Sequence, residues 1–307
     1  MNYCQFIRAV EQKVKEGVKG QVSVAVHTSI KNNGVRKYGL ILTQPGINIS
    51  PTIYLEEYYQ QYKRGDSLEN IAGNILRLYG EIRFERSWEG EYIKEYTNVQ
   101  NKIIYHLVNA ASNEERLKEV PFRKYLDLAI IFSVLVEINV YGTASMLVTK
   151  EHLAMWGITA EEVYEMACQN TRTLLPEELQ SMGHAIEGMT GIEIMNGTED
   201  GDNEDMMYIL SNKIQSHGAA VILYEDCLKG IGEILKENYY VLPSSVHEVI
   251  IVPESHSPGQ EELTSLVREM NESQILKDEI LSDHAYYYAR EEQELFLLKE
   301  PDTSVRQ

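Results

Sequence analysis

QVSVAVHTSIKNNGVRKYGLILTQ, residues 21–44, places two apolar runs on either side of an Asn-Gly pair. Val22, Val24 and Val26 alternate with polar or small residues, the period of a strand with one buried face. Asn33 and Gly34 supply the positive φ angles of a tight connection, so the segment is expected to be a β-hairpin. A hairpin makes its two strands antiparallel. Upstream, MNYCQFIRAVEQKVKEG spaces Phe6, Val10 and Val14, with Val18 beyond, four residues apart and predicts an amphipathic helix.

Downstream, Ser50 before Pro51 has the form of a helix cap and first-turn pair, with Gly65 as the stop. Asp66-Ser67-Leu68-Glu69 has capping-box spacing and opens a second helix toward Tyr79, giving a helical hairpin. Residues 84–120, around Trp88 and GEYIKEYTNVQNKIIYHLVNAASNEERLKEV, suggest further helix. Residues 125–136 and 143–149 read as strands on either side of Gly142. Thr149 caps a short helix that stops at Gly157, and Thr159-Ala160-Glu161-Glu162 starts another to about Asn170. Pro176 opens one more near Glu177.

Residues 196–205, NGTEDGDNED, form an acidic loop without the Asp-x-Asp-x-Asp-Gly order or closing Glu of a calcium loop. MYILS and AAVILY then read as strands, EDCLKGIGEILKEN as an amphipathic helix, and YYVLP and EVIIVPE as strands. A last helix covers 261–271. Strands and helices do not alternate as regular βαβ units. The expected class is therefore α+β, with mixed, largely antiparallel sheets and packed helices in two subdomains. The regions are 1–120, 121–195, the acidic loop 196–205, 206–290 and a frayed tail 291–307.

Composition bounds the function. The chain has 307 residues, 43% of them hydrophobic and 24% charged, as a globular protein does. The longest apolar run, 128–136, is far short of a membrane span, and the N-terminus lacks the pattern of a signal peptide. Cys4, Cys168 and Cys227 are odd in number and far apart, so neither a disulfide framework nor a Cys-based zinc site is expected, and a cytoplasmic location is. Of the net charge of −19, residues 191–307 carry −16, from 8 basic and 24 acidic residues. Such a segment does not bind phosphate backbones, so direct nucleic-acid binding is not expected and a basic protein partner is.

One stretch suggests chemistry. YYVLPSSVHEVIIVPE, residues 239–254, holds Ser244, Ser245, His247 and Glu248 between two apolar runs. A Ser-His-acid triad needs all three side chains to converge. On a strand, Ser245 and His247 share a face while Glu248 points the other way, so this stretch cannot form a triad by itself. Asp283 and His284 are the groups that would have to join His247 and Glu248 for hydrolytic or metal-dependent chemistry. Alternatively the stretch is a polar turn whose hydroxyls serve the backbone, and Ser282-Asp283 caps a helix through residues 286–290. No phosphate-binding glycine motif occurs, and no cofactor is expected. Twenty tyrosines against five phenylalanines suit partly wet core edges or, alternatively, a protein interface, with Tyr286, Tyr287 and Tyr288 as the candidate surface.

Taken in order, NNG before a strand, NISPTIYLEEYY, GTASMLVTKEHLAMWGITAEEVYEMACQNT, NKIQSHGAAVILY, YYVLPSSVHEVIIVPE and LSDHAYYY form a set. Over nearly the whole chain it resembles an uncharacterised bacterial family catalogued as a domain of unknown function, number fifty-six eighty-eight. The LPSS-x-HE stretch is also similar to one in a second uncharacterised bacterial family. The resemblance implies a cytosolic protein, often encoded near mobile elements, and assigns no residue a role. The sequence thus points to a non-catalytic interaction or regulatory protein. The alternative is an enzyme using His247 and Glu248 with Asp283 and His284.

Overall fold

In a computed structural model, which describes residues 1–18, 20–47, 50–83, 90–139, 142–185 and 207–298, the chain divides into two compact units, Met1–Glu95 and Tyr96–Gln307. The acidic stretch 196–205, Trp88 and tail residues 299–307 lie outside the described residues. The class is α+β, and every sheet is antiparallel.

In the first unit, α1 (Tyr3–Gly17) begins at a reciprocal cap: Asn2 accepts the Gln5 N–H and Gln5 accepts the Asn2 N–H. Its stripe of Phe6, Val10 and Val14 is fully buried. β1 (Ser23–Ile30) and β2 (Arg36–Thr43) form the expected hairpin, in register from Ser23↔Thr43 to Ile30↔Arg36. Asn33 and Gly34 close it with φ of 56° and 69°. β3 (Thr52–Tyr54) adds to β2, which corrects the helix expected at Ser50-Pro51. Ser50 Oγ donates instead to the Leu42 carbonyl, 2.7 Å away. Ile53 and Leu55 bury their side chains beside Leu40 and Leu42, and that long-range burial outweighs a local capping signal.

The helical hairpin follows as α2 (Glu56–Lys63) and α3 (Leu68–Ile82). The cap of α3 is Ser67, one residue later than the spacing suggested; its hydroxyl accepts the Asn70 N–H. Asp66 accepts from the Ser67 N–H and the Asn70 amide. Ile71 and Ile75 of α3 complete a core with Phe6, Val10 and Leu40. Each such buried side chain contributes about 1.5–3 kcal/mol.

The second unit holds two sheets. In the first, β6 (Leu128–Asn139) pairs with β4 (Ile103–Asn109) on one side and, at its two ends, with β5 (Phe122–Tyr125) and β7 (Gly142–Leu147) on the other. β6 is buried along 128–135 without alternation, so it reads as one continuous apolar run. Of the helix expected across 84–120, residues 84–89 lie outside the described residues, short helices form at Gly90–Lys94, Tyr96–Val99 and Glu114–Leu117, and the stretch between them is corrected to strand β4. Residues 103–108 of that strand are all buried, and a β-branched and aromatic run covered on both faces favours strand over helix. The strand expected over 125–136 is split by a turn at Leu126 and Asp127.

Both Thr caps form as expected, and the box expected at Thr159 is present. Thr149 caps α4 (Lys150–Trp156), which stops at Gly157 with φ 68°, and Thr159 with Glu162 caps α5 (Ala160–Leu174). α5 lies along β4, where Thr171 Oγ1 accepts the Tyr105 N–H at 3.1 Å.

The other sheet comprises β8 (Glu177–Ser181), β9 (Tyr208–Asn212), β10 (Tyr239–Leu242), β11 (Val249–Pro253), β12 (Tyr286–Ala289) and β13 (Glu294–Leu297), in the order β13-β12-β10-β11-β9-β8. α6 (Cys227–Leu235) and α7 (Gln260–Ser273) belong to the same unit. Three expectations are corrected here. Pro176 precedes a strand, not a helix. Residues 286–290 are strand β12 and its turn. AAVILY is not a strand: Gly218–Leu223 is a 3-10 helix. Its small residues Gly218, Ala219 and Ala220 let the backbone approach β9 closely, and its apolar residues are as fully buried as a strand would make them. Among the described residues no helix is long and apolar enough to cross a membrane.

Candidate functional site: a histidine row and a tyrosine-lined cleft

Between β10 and β11, residues 243–248 leave the sheet and zip against a second loop. Pro243 O accepts the Ser282 N–H, Ser244 O accepts the Leu281 N–H, and the Val246 N–H donates to Glu279 O. Ser245 faces Ile280 in an antiparallel bridge. Ser244 and Ser245 are 3% and 4% exposed. Ser245 Oγ accepts the backbone N–H of His247 at 3.0 Å, a turn-closing bond. The hydroxyl therefore serves the His247 backbone, not its ring. Neither His247 nor Glu248 belongs to the next strand, which starts at Val249.

His247 ends a row of imidazoles. Its Nδ1 accepts the His217 N–H at 3.3 Å, which leaves the neutral ring's proton on Nε2, 3.8 Å from Glu279 Oε1. The His217 ring lies 5.8 Å from that of His247 and 4.5 Å from that of His106. His106 is buried, and its Nδ1 has no hydrogen-bond partner. Burial, then the neighbouring His217 and Arg116, hold its pKa well below 6.5. The unfolded chain thus takes up this proton first as pH falls, so stability present above pH 7 is lost below about 6.5. One such proton amounts to about 1.4 kcal/mol per pH unit. Urea unfolding at pH 7 and pH 5 should show wild type losing about 2 kcal/mol more than His106→Leu. Equal losses would remove His106 as the cause.

The structure does not bring Asp283 and His284 to His247 and Glu248. The ladder pairs 245 with 280 and 243 with 282, so it carries His247 and Asp283 to opposite ends, on the order of 15 Å apart. Asp283 is exposed and accepts from Asn271 at 2.8 Å, and His284 donates its N–H to Ser282 Oγ. Among the described residues no three His, Cys, Asp or Glu side chains are grouped to hold a metal. The tyrosine surface is also corrected. Tyr286 and Tyr288 are 0% and 2% exposed, because alternate residues of β12 face the core. Only Tyr287 points outward, where it meets Tyr240 and donates to Glu254.

What the structure does assemble is a cleft of about 350 Å³ walled by Tyr125, Tyr224 and Tyr288. Three turns form its rim, at Leu126 between β5 and β6, Asp226 before α6, and Gln293 between β12 and β13. Each has positive φ: 54°, 58° and 55°. They are three of the seven non-glycine residues with positive φ among the described residues. Such backbone strain collects where a binding surface is held in shape. The costliest is Leu126, because a Leu in the left-handed region is disfavoured by about 1–2 kcal/mol. Leu126→Gly is expected to raise unfolding free energy by about 1 kcal/mol, read from the urea midpoint at constant slope.

Asp226, Glu294 and Lys229 also line the cleft. Burial, then Glu294, pushes the Tyr125 phenol up to about 12. Burial and Glu177 raise Tyr224; burial, Glu233 and Asp226 raise Tyr288. All three phenols are therefore neutral at pH 7, and two of the rings, Tyr224 and Tyr288, are almost wholly buried at 5% and 2% exposure. No sequence motif marks this cleft, because its walls come from segments about 100 and 60 residues apart that only the tertiary fold unites. One local sign was present: an alternating tract interrupted at Asp127, a poor strand former.

Antiparallel sheets, packed helices and this cleft define an α+β protein of two compact units. The chain belongs to the family described as "Family of unknown function (DUF5688)", whose model matches residues 3–290. It is also similar to "Probable serine proteinase inhibitor 1" of swinepox virus (strain Kasza), at 33% identity over 113 residues. That match covers 32% of this chain and 35% of the viral protein, so the chain spans about a third of that relative's length. No solved structure matches.

Proposed function

We propose that this protein acts by binding a basic partner protein through its C-terminal unit, in a regulatory rather than a catalytic role. The observation that carries this reading is the charge of the C-terminal part: residues 191–307 hold 8 basic and 24 acidic side chains, and exposed carboxylates such as Asp226 and Glu294 lie on this unit's surface. Charge of one sign steers a partner of the other and makes association fall with salt. The Ser245 hydroxyl closes a turn on the His247 backbone, and Asp283 and His284 do not join His247, which favours binding over acyl transfer. A reducing cytoplasm suits three free cysteines, Cys4 and Cys168 among them exposed.

The test is capture by the immobilised full chain from native lysate, with stepwise salt elution. Basic proteins should elute between about 0.1 and 0.5 M salt, and should rebind after purification. Recovery of only neutral or acidic proteins, or of none that rebinds, would sink the reading.

A further inference from the structure

We propose that the histidine row is a pH-sensitive latch: with His247 neutral it ties the start of the 3-10 helix Gly218–Leu223 to the 243–248 loop, and with His247 protonated it lets that helix go. This stands apart from the binding reading above and does not need it. The bond that sets the switch runs from the His217 N–H to His247 Nδ1, at 3.3 Å. A peptide N–H can only donate, so Nδ1 must present a lone pair, and it has one only in the neutral ring. Protonation turns Nδ1 into a second donor, and the two N–H groups then oppose each other.

The protonated ring has another partner at hand. Glu279 Oε1, from the turn after α7, lies 3.8 Å from Nε2, the ring's other nitrogen. Charging the imidazole strengthens that attraction as it breaks the bond to His217, so the ring has one partner for each protonation state. The His247 and Glu279 side chains are each 34% exposed, so protons reach them from solvent. The inner end of the row does not compete for the charge. His106 is buried there against the His217 ring, and Arg116 of the short helix Glu114–Leu117 adds a positive charge.

The latch holds a strained segment. His217 has φ 53° and ψ 29°, in the left-handed region, at the entry to the 3-10 helix. Two further bonds fasten the same surroundings: the Ala219 N–H donates to the Val246 carbonyl at 3.3 Å, and Ser211 Oγ donates to the His247 carbonyl at 2.7 Å. Neither titrates, so acid loosens the helix entry without unfolding the sheet. Ile222 of this helix, and Tyr224 just after it, line the cleft, so release at His217 bears on one of its walls.

Amide hydrogen exchange on the full chain at pH 7 and pH 5, corrected for the intrinsic rate at each pH, reads the latch directly. Relative to amides of β6, which report the whole fold, protection at His217 and Ala219 should fall about tenfold at pH 5. The relative measure sets aside the global loss assigned to His106, so His106→Leu should keep this local change. His247→Asn places Oδ1 where Nδ1 stood, an acceptor that does not titrate, and should hold the protection at both pH values. Glu279→Gln removes the charged ring's partner and should move the midpoint of the loss about half a pH unit lower. Nitrogen NMR shifts of the His247 ring give a reading on the wild type that no variant's folding can spoil. An unprotonated Nδ1 at pH 7 and two N–H groups at pH 5 are expected. A proton on Nδ1 at pH 7 would overturn the latch. So would equal relative protection at the two pH values, or the same loss in His247→Asn as in wild type.

Discussion

Gly218→Ala should lower the unfolding free energy by about 3 kcal/mol or more, among the largest effects of any single methyl group in this chain. A β-carbon at Gly218 would meet Ser211 Oγ, the His247 carbonyl and, at 2.8 Å, the backbone nitrogen of Asn212. Ser211 Oγ donates to that same carbonyl at 2.7 Å. The added methyl would therefore sit inside a hydrogen bond between β9 and the 243–248 loop. Two of the three obstacles are backbone, which cannot rotate away. Either the 3-10 helix shifts, opening the contacts of Ala219 and Val221, or the bond breaks and strands a buried hydroxyl. Gly230→Ala is the control. That position lies inside α6 with nothing within 4 Å of an added carbon, so the change should stabilise by about 0.5–1 kcal/mol. Urea midpoints moving in opposite directions would support the argument; a Gly218→Ala protein of wild-type stability would refute it.

Asp127→Ala comes next, at about 3–5 kcal/mol. The carboxylate accepts from Ser282 Oγ at 2.6 Å and from Tyr286 Oη at 2.5 Å. Ser282 and Tyr286 are both 0% exposed, so no water replaces a missing acceptor. Burial, reinforced by Asp127, raises the Tyr286 pKa far above its ordinary value, which keeps it a donor at every accessible pH. Tyr286→Phe removes one charge-assisted bond and should cost about 1.5–3 kcal/mol. The double variant should cost less than the sum of the two, because the second change removes a group the first had already orphaned. Strict additivity would show that the pair does not act as a unit. Asp127 is also the neighbour of Leu126, so the anchored carboxylate holds the strained turn at the cleft's rim.

Legibility followed range. The Asn33-Gly34 hairpin, the Thr149 and Thr159 caps and the amphipathic helices α1 and α6 were readable because their signals lie within a few residues of one another. Ser50-Pro51, Pro176 and AAVILY were misread because each is a short segment whose form is set by distant burial: Ile53 against α1 and α3, β8 against β9, Gly218 against Ser211. The 243–248 stretch was recognisable as a polar turn. Its real partners, residues 279–282 and the row of His106 and His217, lie 30 to 140 positions away, where periodicity carries no information. The cleft was invisible for the same reason, and the run of three tyrosines gave no sign of which rings strand β12 would bury.

The strand order β13-β12-β10-β11-β9-β8 bears on how the second sheet assembles. β10 and β11 are joined by a short loop and lie side by side at the centre. Yet β9, earlier in the chain, pairs with β11, and β12, later in the chain, pairs with β10. β12 also pairs with β13 and β9 with β8, so the sheet is two halves, and the β10–β11 pairing is what joins them. The polar turn at Ser244 and Ser245 therefore closes the seam between those halves. Residues placed to close such a turn look, in a sequence, much like residues gathered for chemistry.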